Sequence, residues 1–142
     1  MTDLLSHVLL PVADADDARA SAAALAPYDP PRVTVLHVVE RGGGVPDRTP
    51  VEQSEVIAEE SFAAARERVP DAETLVRYDT NVVDGIRAAA RDVEASAVAF
   101  RPRGGSRLVQ LLAGDRTLSL VTDTDRPVVS LPDSDATSGG DA

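Results

Sequence analysis

Arg101-Pro102-Arg103-Gly104-Gly105-Ser106 is the stretch of this chain whose residue types best suit chemistry, and that chemistry is anion binding. A Gly-Gly-Ser turn at a helix start offers backbone N–H groups that cradle an anion. Two guanidiniums stand beside it. With nine residues between, Gly104 is followed by a second pair, Gly114-Asp115. Asp115 reads in two ways. As a helix cap it satisfies orphan amides and complements the dipole. Within a phosphate site it repels: two unit charges 4 Å apart, at an effective dielectric near 20, cost about 4 kcal/mol. Arg101 and Arg103 likewise suit ion pairs with local Asp as well as a bound phosphate. For all three residues the capping and ion-pair readings carry the greater weight.

Other constellations are weaker. His7 and His37 lie inside strand-like runs without an acidic partner at ligand spacing, so they read as core or edge histidines and no metal site is expected. The chain has no Cys, which excludes disulfides and thiolate ligands. It contains no Gly-x-Ser-x-Gly elbow, Walker A motif or Gly-x-Gly-x-x-Gly. Asp14, Asp16 and Asp17 could mimic the acidic pocket of a phospho-receiver domain. Such domains need a Lys near the last strand, and this chain has no Lys at all. No nucleophile, base or metal-ligand set is visible, so the expectation leans away from an enzyme.

The elements that must position these residues alternate. Five short, nearly continuous apolar runs read as buried strands: His7–Val12, Val33–Val39, Glu73–Tyr78, Ala95–Phe100 and Pro127–Leu131. Between them the spacing predicts helices over Asp16–Ala26, Val51–Val69, Asn81–Val93 and Ser106–Thr122. The first stops at Pro27 before an Asp29-Pro30-Pro31 linker, and Asn81 with Asp84 offers a cap for the third. Strand–helix alternation implies a parallel sheet covered on both faces. Ligands of such sheets bind beyond the carboxyl ends of strands where strand order reverses. The long connection Glu40–Pro50 contains Gly42-Gly43-Gly44 and is expected to be mobile. We read residues 1–132 as one domain and 133–142 as a disordered acidic tail.

Acids outnumber bases 24 to 14 for a net charge of −10, every base is Arg, and sixteen of the acids are Asp. Such a surface repels itself in dilute buffer, whereas at molar salt the screening length falls to about 3 Å. The composition therefore reads as adapted to high salt, of the haloarchaeal type. Nucleic acid is not an expected partner, since no basic stripe with interleaved aromatics is present. No apolar run approaches the roughly 20 residues that cross a bilayer, and no basic segment precedes the first strand. The expectation is a cytoplasmic protein without membrane insertion.

Several fragments, taken in order, resemble the universal stress protein family. They are the Pro11-Val12 that follows a short first strand, the strand end Leu36-His37-Val38-Val39, the block from Arg101 to Asp115, and Arg126-Pro127-Val128-Val129-Ser130-Leu131. The resemblance runs from Leu5 to Leu131. It implies an open, Rossmann-like five-stranded parallel sheet of order 3-2-1-4-5, of the adenine nucleotide alpha hydrolase type, and usually a homodimer. It also implies a nucleotide site at Val12, Val38, Arg101, Arg103, Gly104, Gly105, Ser106, Gly114 and Asp115. The family's glycine motif is only partly kept. Gly104 and Gly114 stand where its second and third glycines do, but Arg101 replaces the first and Asp115 the Ser or Thr after the third. The family's Asp after the first strand falls on Ala13, with Asp14 one residue on. The expected function is thus a homodimeric regulatory or interaction module, paired through Pro127–Leu131, with an impaired phosphate loop and no bound cofactor. The alternative is an ATP- or AMP-binding nucleotide switch, with or without slow ATP hydrolysis.

Overall fold

The computed structural model describes residues 4–40, 51–101 and 126–132. In chain order the elements are β1 (Val8–Pro11), α1 (Ala15–Leu25), a 3-10 turn (Ala26–Tyr28), β2 (Val33–Glu40), α2 (Val51–Arg66), β3 (Glu73–Asp79), α3 (Val82–Asp92), β4 (Ala97–Phe100) and β5 (Val128–Ser130). The strands form one sheet of order β3-β2-β1-β4-β5. Every pairing is parallel, with Val8 opposite both Val33 and Ala97. This is the expected fold. The expected helix over Ser106–Thr122, the connection 41–50 and the tail 133–142 lie outside the described residues.

The local causes of these elements are readable. β1 is buried at all four positions, as a central parallel strand must be when both its faces are covered. α1 starts where the Asp14 carboxylate accepts the Asp17 N–H at 2.8 Å. It stops where Pro27 enters the 3-10 turn, because proline supplies no N–H to continue the ladder. Asp29 closes that turn in the left-handed region, at φ 49°. α3 starts on Asn81, whose Oδ1 accepts the Asp84 N–H at 2.8 Å. It ends with Ala95 N–H on Ala90 O at 3.0 Å and Glu94 N–H on Arg91 O at 3.2 Å. That is a Schellman ending, with Glu94 at φ 56° in the place that usually takes glycine.

The core divides between the two faces of the sheet. On one, Val8, Leu10, Val33, Val35 and Ala99 pack under Ala18, Ala22 and Leu25 of α1 and Ala64 and Ala65 of α2. The alanines let α1 and α2 approach closely, and Arg19 bridges them to Glu67 at 3.0 Å. On the other face Leu9, Leu36, Val98 and Phe100 meet Val82, Val83, Ile86 and Ala89 of α3.

Two strands depart from the expected burial. β3 exposes Glu73, Thr74 and Tyr78 and only half-buries the residues between. Val128 and Val129 of β5 are half-buried and Ser130 is exposed. Both are terminal strands of the sheet. An apolar run shows that a strand can be buried, whereas its place in the sheet decides whether helices cover it.

Candidate functional site

β1 sends the chain to β2 on one side, and β4 later joins it on the other. The crevice between the carboxyl ends of β1 and β4 is therefore the topological switch point. Residues 11–17 and Arg101 line it on the described side. Of the expected site residues, Val12, Val38 and Arg101 lie within the described structure. Arg103, Gly104, Gly105, Ser106, Gly114 and Asp115 lie outside it.

Val12 is 2% exposed, and its N–H donates to Leu36 O at 2.8 Å. Its carbonyl lies 3.2 Å from His37 Nδ1. A carbonyl only accepts, so Nδ1 carries the proton and Nε2 is left as an acceptor. Burial lowers the His37 pKa, against opposing effects of the Val12 carbonyl and the Asp14 charge. A neutral imidazole is thus built into the crevice end of β2. The signal for it was the buried position of a polar residue in an apolar strand.

Asp17, which the sequence offered only as one of three acids that could mimic a receiver pocket, shapes this end of the sheet. It is 3% exposed, and its Oδ2 accepts the Ala13 N–H at 2.9 Å. Asp14 meanwhile holds the Asp17 N–H. Asp14 thus caps α1 from three residues before Asp17, a spacing the sequence displays, while Asp17 reaches back four residues to the Ala13 amide. It has a chemical consequence. The β1–α1 turn is where many α/β sheets bind an anion on helix amides, and here two carboxylates occupy it. Ala13 itself packs against the α3-side core.

Val38 is half-buried and contributes to that same core. It faces Gly85 so closely that a Cβ there would stand 2.8 Å from Val38 Cγ1. Arg101 follows β4 directly and is 7% exposed, so a buried arginine stands where the family pattern would place glycine. The carbonyl of Phe100, just before it, accepts the Leu131 N–H at 2.8 Å and ties the end of β4 to β5.

His7, the other candidate, stands at the opposite end of β1. Its ring Nε2 lies 2.8 Å from Thr34 Oγ1, and its pKa is lowered by burial first and by the Arg32 charge second. Both histidines are core residues. Among the described residues no three His, Asp or Glu side chains are grouped to hold a metal ion. No described helix is long and apolar enough to cross a membrane. A cavity of about 590 Å³ lies away from the crevice, between α2 and β3. Its size does not make it the site of nucleotide chemistry, because it is open and lacks convergent donors.

No protein-family model and no curated protein matches the chain. Solved structures do. A universal stress protein from Archaeoglobus fulgidus in complex with dAMP is 16% identical, with a TM-score of 0.64 over 91% of this chain and 99% of that one. The universal stress protein UspA from Lactobacillus plantarum is 20% identical, with a TM-score of 0.61 over 92% and 99%. A universal stress protein in complex with cAMP is 14% identical, with a TM-score of 0.61 over 92% and 98%. The likeness extends over nearly the whole of each chain, and the chain has the fold of the universal stress proteins.

Proposed function

We propose that this chain is a universal-stress-type regulatory or interaction module, homodimeric, whose hold on nucleotide phosphates is impaired. The observation that carries the reading is the acidic β1–α1 turn. Asp14 accepts the Asp17 amide in the first turn of α1 and Asp17 accepts the Ala13 amide just before it, so the dipole end that would favour a phosphate already faces two carboxylates. Arg101 in place of a glycine removes a second point of close backbone approach. Asp115, by its place in the sequence, adds a third carboxylate toward the distal phosphates. The wild-type protein should then bind ATP no better than about 1 mM, roughly 4 kcal/mol.

A second reading is an ATP- or AMP-binding switch in which Arg101 and Arg103 replace the lost glycine contacts. Buried Arg101 beside the crevice favours it, as do the dAMP and cAMP held by structural neighbours. Isothermal titration with ATP, ADP and AMP in molar KCl separates the two. Under the first reading Arg101→Gly with Asp115→Ser gains affinity, and gains more for ATP than for AMP, because Asp115 opposes the distal charge. Micromolar ATP binding by the wild type would replace the first reading with the second. Ala13→Asp, which would restore the family carboxylate, is expected to destabilise the fold by itself, since Asp14 and Asp17 already crowd that turn.

A further inference from the structure

At the end of the sheet away from the crevice, polar side chains form a chain across three strands. His7, the residue before β1, has its ring Nε2 2.8 Å from Thr34 Oγ1 of β2. The same Oγ1 lies 3.3 Å from Glu73 Oε1 of β3. Arg32 Nε–H donates to that carboxylate oxygen at 2.9 Å. His7 and Thr34 are 6% and 3% exposed, so the inner part of the chain is shielded from bulk water. The backbone of His7 is fixed as well. Its N–H donates to Ser96 Oγ at 2.9 Å, and its carbonyl accepts the Ser96 N–H at 2.7 Å.

A hydroxyl has one proton to give. The 2.8 Å contact to His7 has the length of a good hydrogen bond, whereas 3.3 Å is long for a hydroxyl on a carboxylate, usually about 2.5–2.7 Å. While the ring is neutral, the Thr34 proton therefore points to Nε2, and the ring carries its own proton on Nδ1. A second proton on the ring can go only to Nε2. Nε2 then donates to Oγ1, and the hydroxyl turns its proton onto Glu73. No bond is lost in the exchange, and the new one ends on a carboxylate, where hydrogen bonds are roughly twice as strong.

The surrounding charges are few. Burial and then Arg32 oppose a charged ring, while Glu73 and the Val93 carbonyl favour it. Arg77 of β3 and Asp92 of α3 pair with each other, and Arg91 and Glu94 at the α3 ending are exposed.

We infer that His7, Thr34 and Glu73 are a proton-driven switch, in which Thr34 turns its hydroxyl from β1 to β3 and so ties the terminal strand to the sheet when the ring is charged. The switch works in a window. His7 takes its proton below its ordinary 6.5, because burial and Arg32 lower its pKa. Glu73 stays charged until below its ordinary 4.5, because the Arg32 hydrogen bond lowers its pKa. Between those two steps a cation and an anion are joined through one hydroxyl. Charging the buried ring still costs stability overall, and the added bond to Glu73 limits that cost. The inference stands apart from the nucleotide reading, because it uses neither the crevice nor Arg101.

The test is an NMR titration in molar KCl of protein labelled at nitrogen and carbon. In the wild type the ring nitrogens should report the neutral Nδ1–H tautomer, and the Glu73 carboxyl carbon should follow the His7 titration. Thr34→Val keeps the shape and removes the hydroxyl. It should weaken proton binding at His7 by at least about threefold, and Thr34→Ser should restore most of the loss. Glu73→Gln should also weaken it, and by less in the Thr34→Val background, because the carboxylate acts through the hydroxyl. A neutral Nε2–H tautomer overturns the proposal, as does a Glu73 carbon that ignores the His7 titration. So does an unchanged His7 titration in Thr34→Val, or additive effects of the Thr34 and Glu73 changes. The tautomer and carbon readings use the wild-type protein, so they decide the matter even where a variant fails to fold.

Discussion

Gly85 and Glu94 show how closely single residues are fitted here. Gly85 lies inside α3, where alanine would gain about 1 kcal/mol of helix propensity. Its added Cβ would meet Val38 Cγ1 at 2.8 Å and Cγ2 at 3.1 Å, and a short branched side chain on a strand cannot swing away. Overpacking of this kind costs about 1–3 kcal/mol. Gly85→Ala should therefore be net destabilising, by about 1 kcal/mol, and Gly85→Ala with Val38→Ala should recover part of the Gly85→Ala loss relative to Val38→Ala alone. A double-mutant cycle of chemical melts would read this coupling. Independent effects at the two sites would contradict the packing argument. Glu94 is the opposite case. It holds the αL position of the α3 ending at φ 56°, where a side chain costs roughly 1 kcal/mol or more. Glu94→Gly should raise the melting temperature by a few degrees, and a lowered midpoint would show that its carboxylate does more than tolerate the turn.

At the level of elements, the two edges of the sheet differ in what they offer. β5 binds β4 through Leu131 N–H on Phe100 O and Val98 N–H on Pro127 O. Strand bonding alternates, so Val128 and Ser130 turn their backbone groups outward. Val128 and Val129 are half-buried on opposite faces of the sheet. An apolar edge of this kind is removed from solvent by pairing with its twin about a two-fold axis. The proposed homodimer should then show by light scattering at tens of micromolar, an affinity of roughly 6–7 kcal/mol. Val129→Lys should yield monomer or precipitate. Ser130→Pro is cleaner, since proline removes one outward N–H and leaves the bonds to β4 intact. A wild-type monomer, or a dimer that survives Ser130→Pro, would remove β5 from the interface.

Over the whole molecule the electrostatic balance is set by −10 net charges against ion pairs such as Arg19–Glu67 and Arg32–Glu73, which lie at the surface. Surface pairs contribute about 0–1 kcal/mol each. Salt screens those attractions and the net repulsion alike, and with acids in such excess the repulsion should dominate. The melting midpoint should rise from dilute buffer to molar KCl; a flat or falling midpoint would contradict salt adaptation. The pH dependence has a definite sign. His7 and His37 both have pKa values lowered below 6.5 by burial. Each therefore contributes stability that is complete above pH 6.5 and is lost as pH falls through the folded-state value. Glu67 and Glu73, lowered by Arg19 and Arg32, act only below their ordinary 4.5. In molar salt, where net-charge effects are damped, stability should already fall as pH drops below 6.5, before the carboxylates titrate. His7→Gln with His37→Gln should flatten that fall.

What the sequence by itself determined was the alternation of strands and helices, because continuous β-branched runs and helical spacing are local patterns that backbone physics reads directly. It also showed the cap at Asn81, three residues before Asp84, whereas the Asp14 cap of α1 emerged only from the structure. The resemblance in motif order then supplied the strand order that local pattern could not. Only the tertiary structure decided which apolar strands are covered. β3 and β1 look alike as sequences, and their burial differs because one ends the sheet and the other fills its centre. It alone showed why Gly85 is preferred inside α3, since Val38 is forty-seven residues away in the chain. It alone also turned Asp17 from one of three adjacent acids into a buried partner of the Ala13 amide. That contact depends on where β1 delivers the chain to α1, a matter of three-dimensional placement.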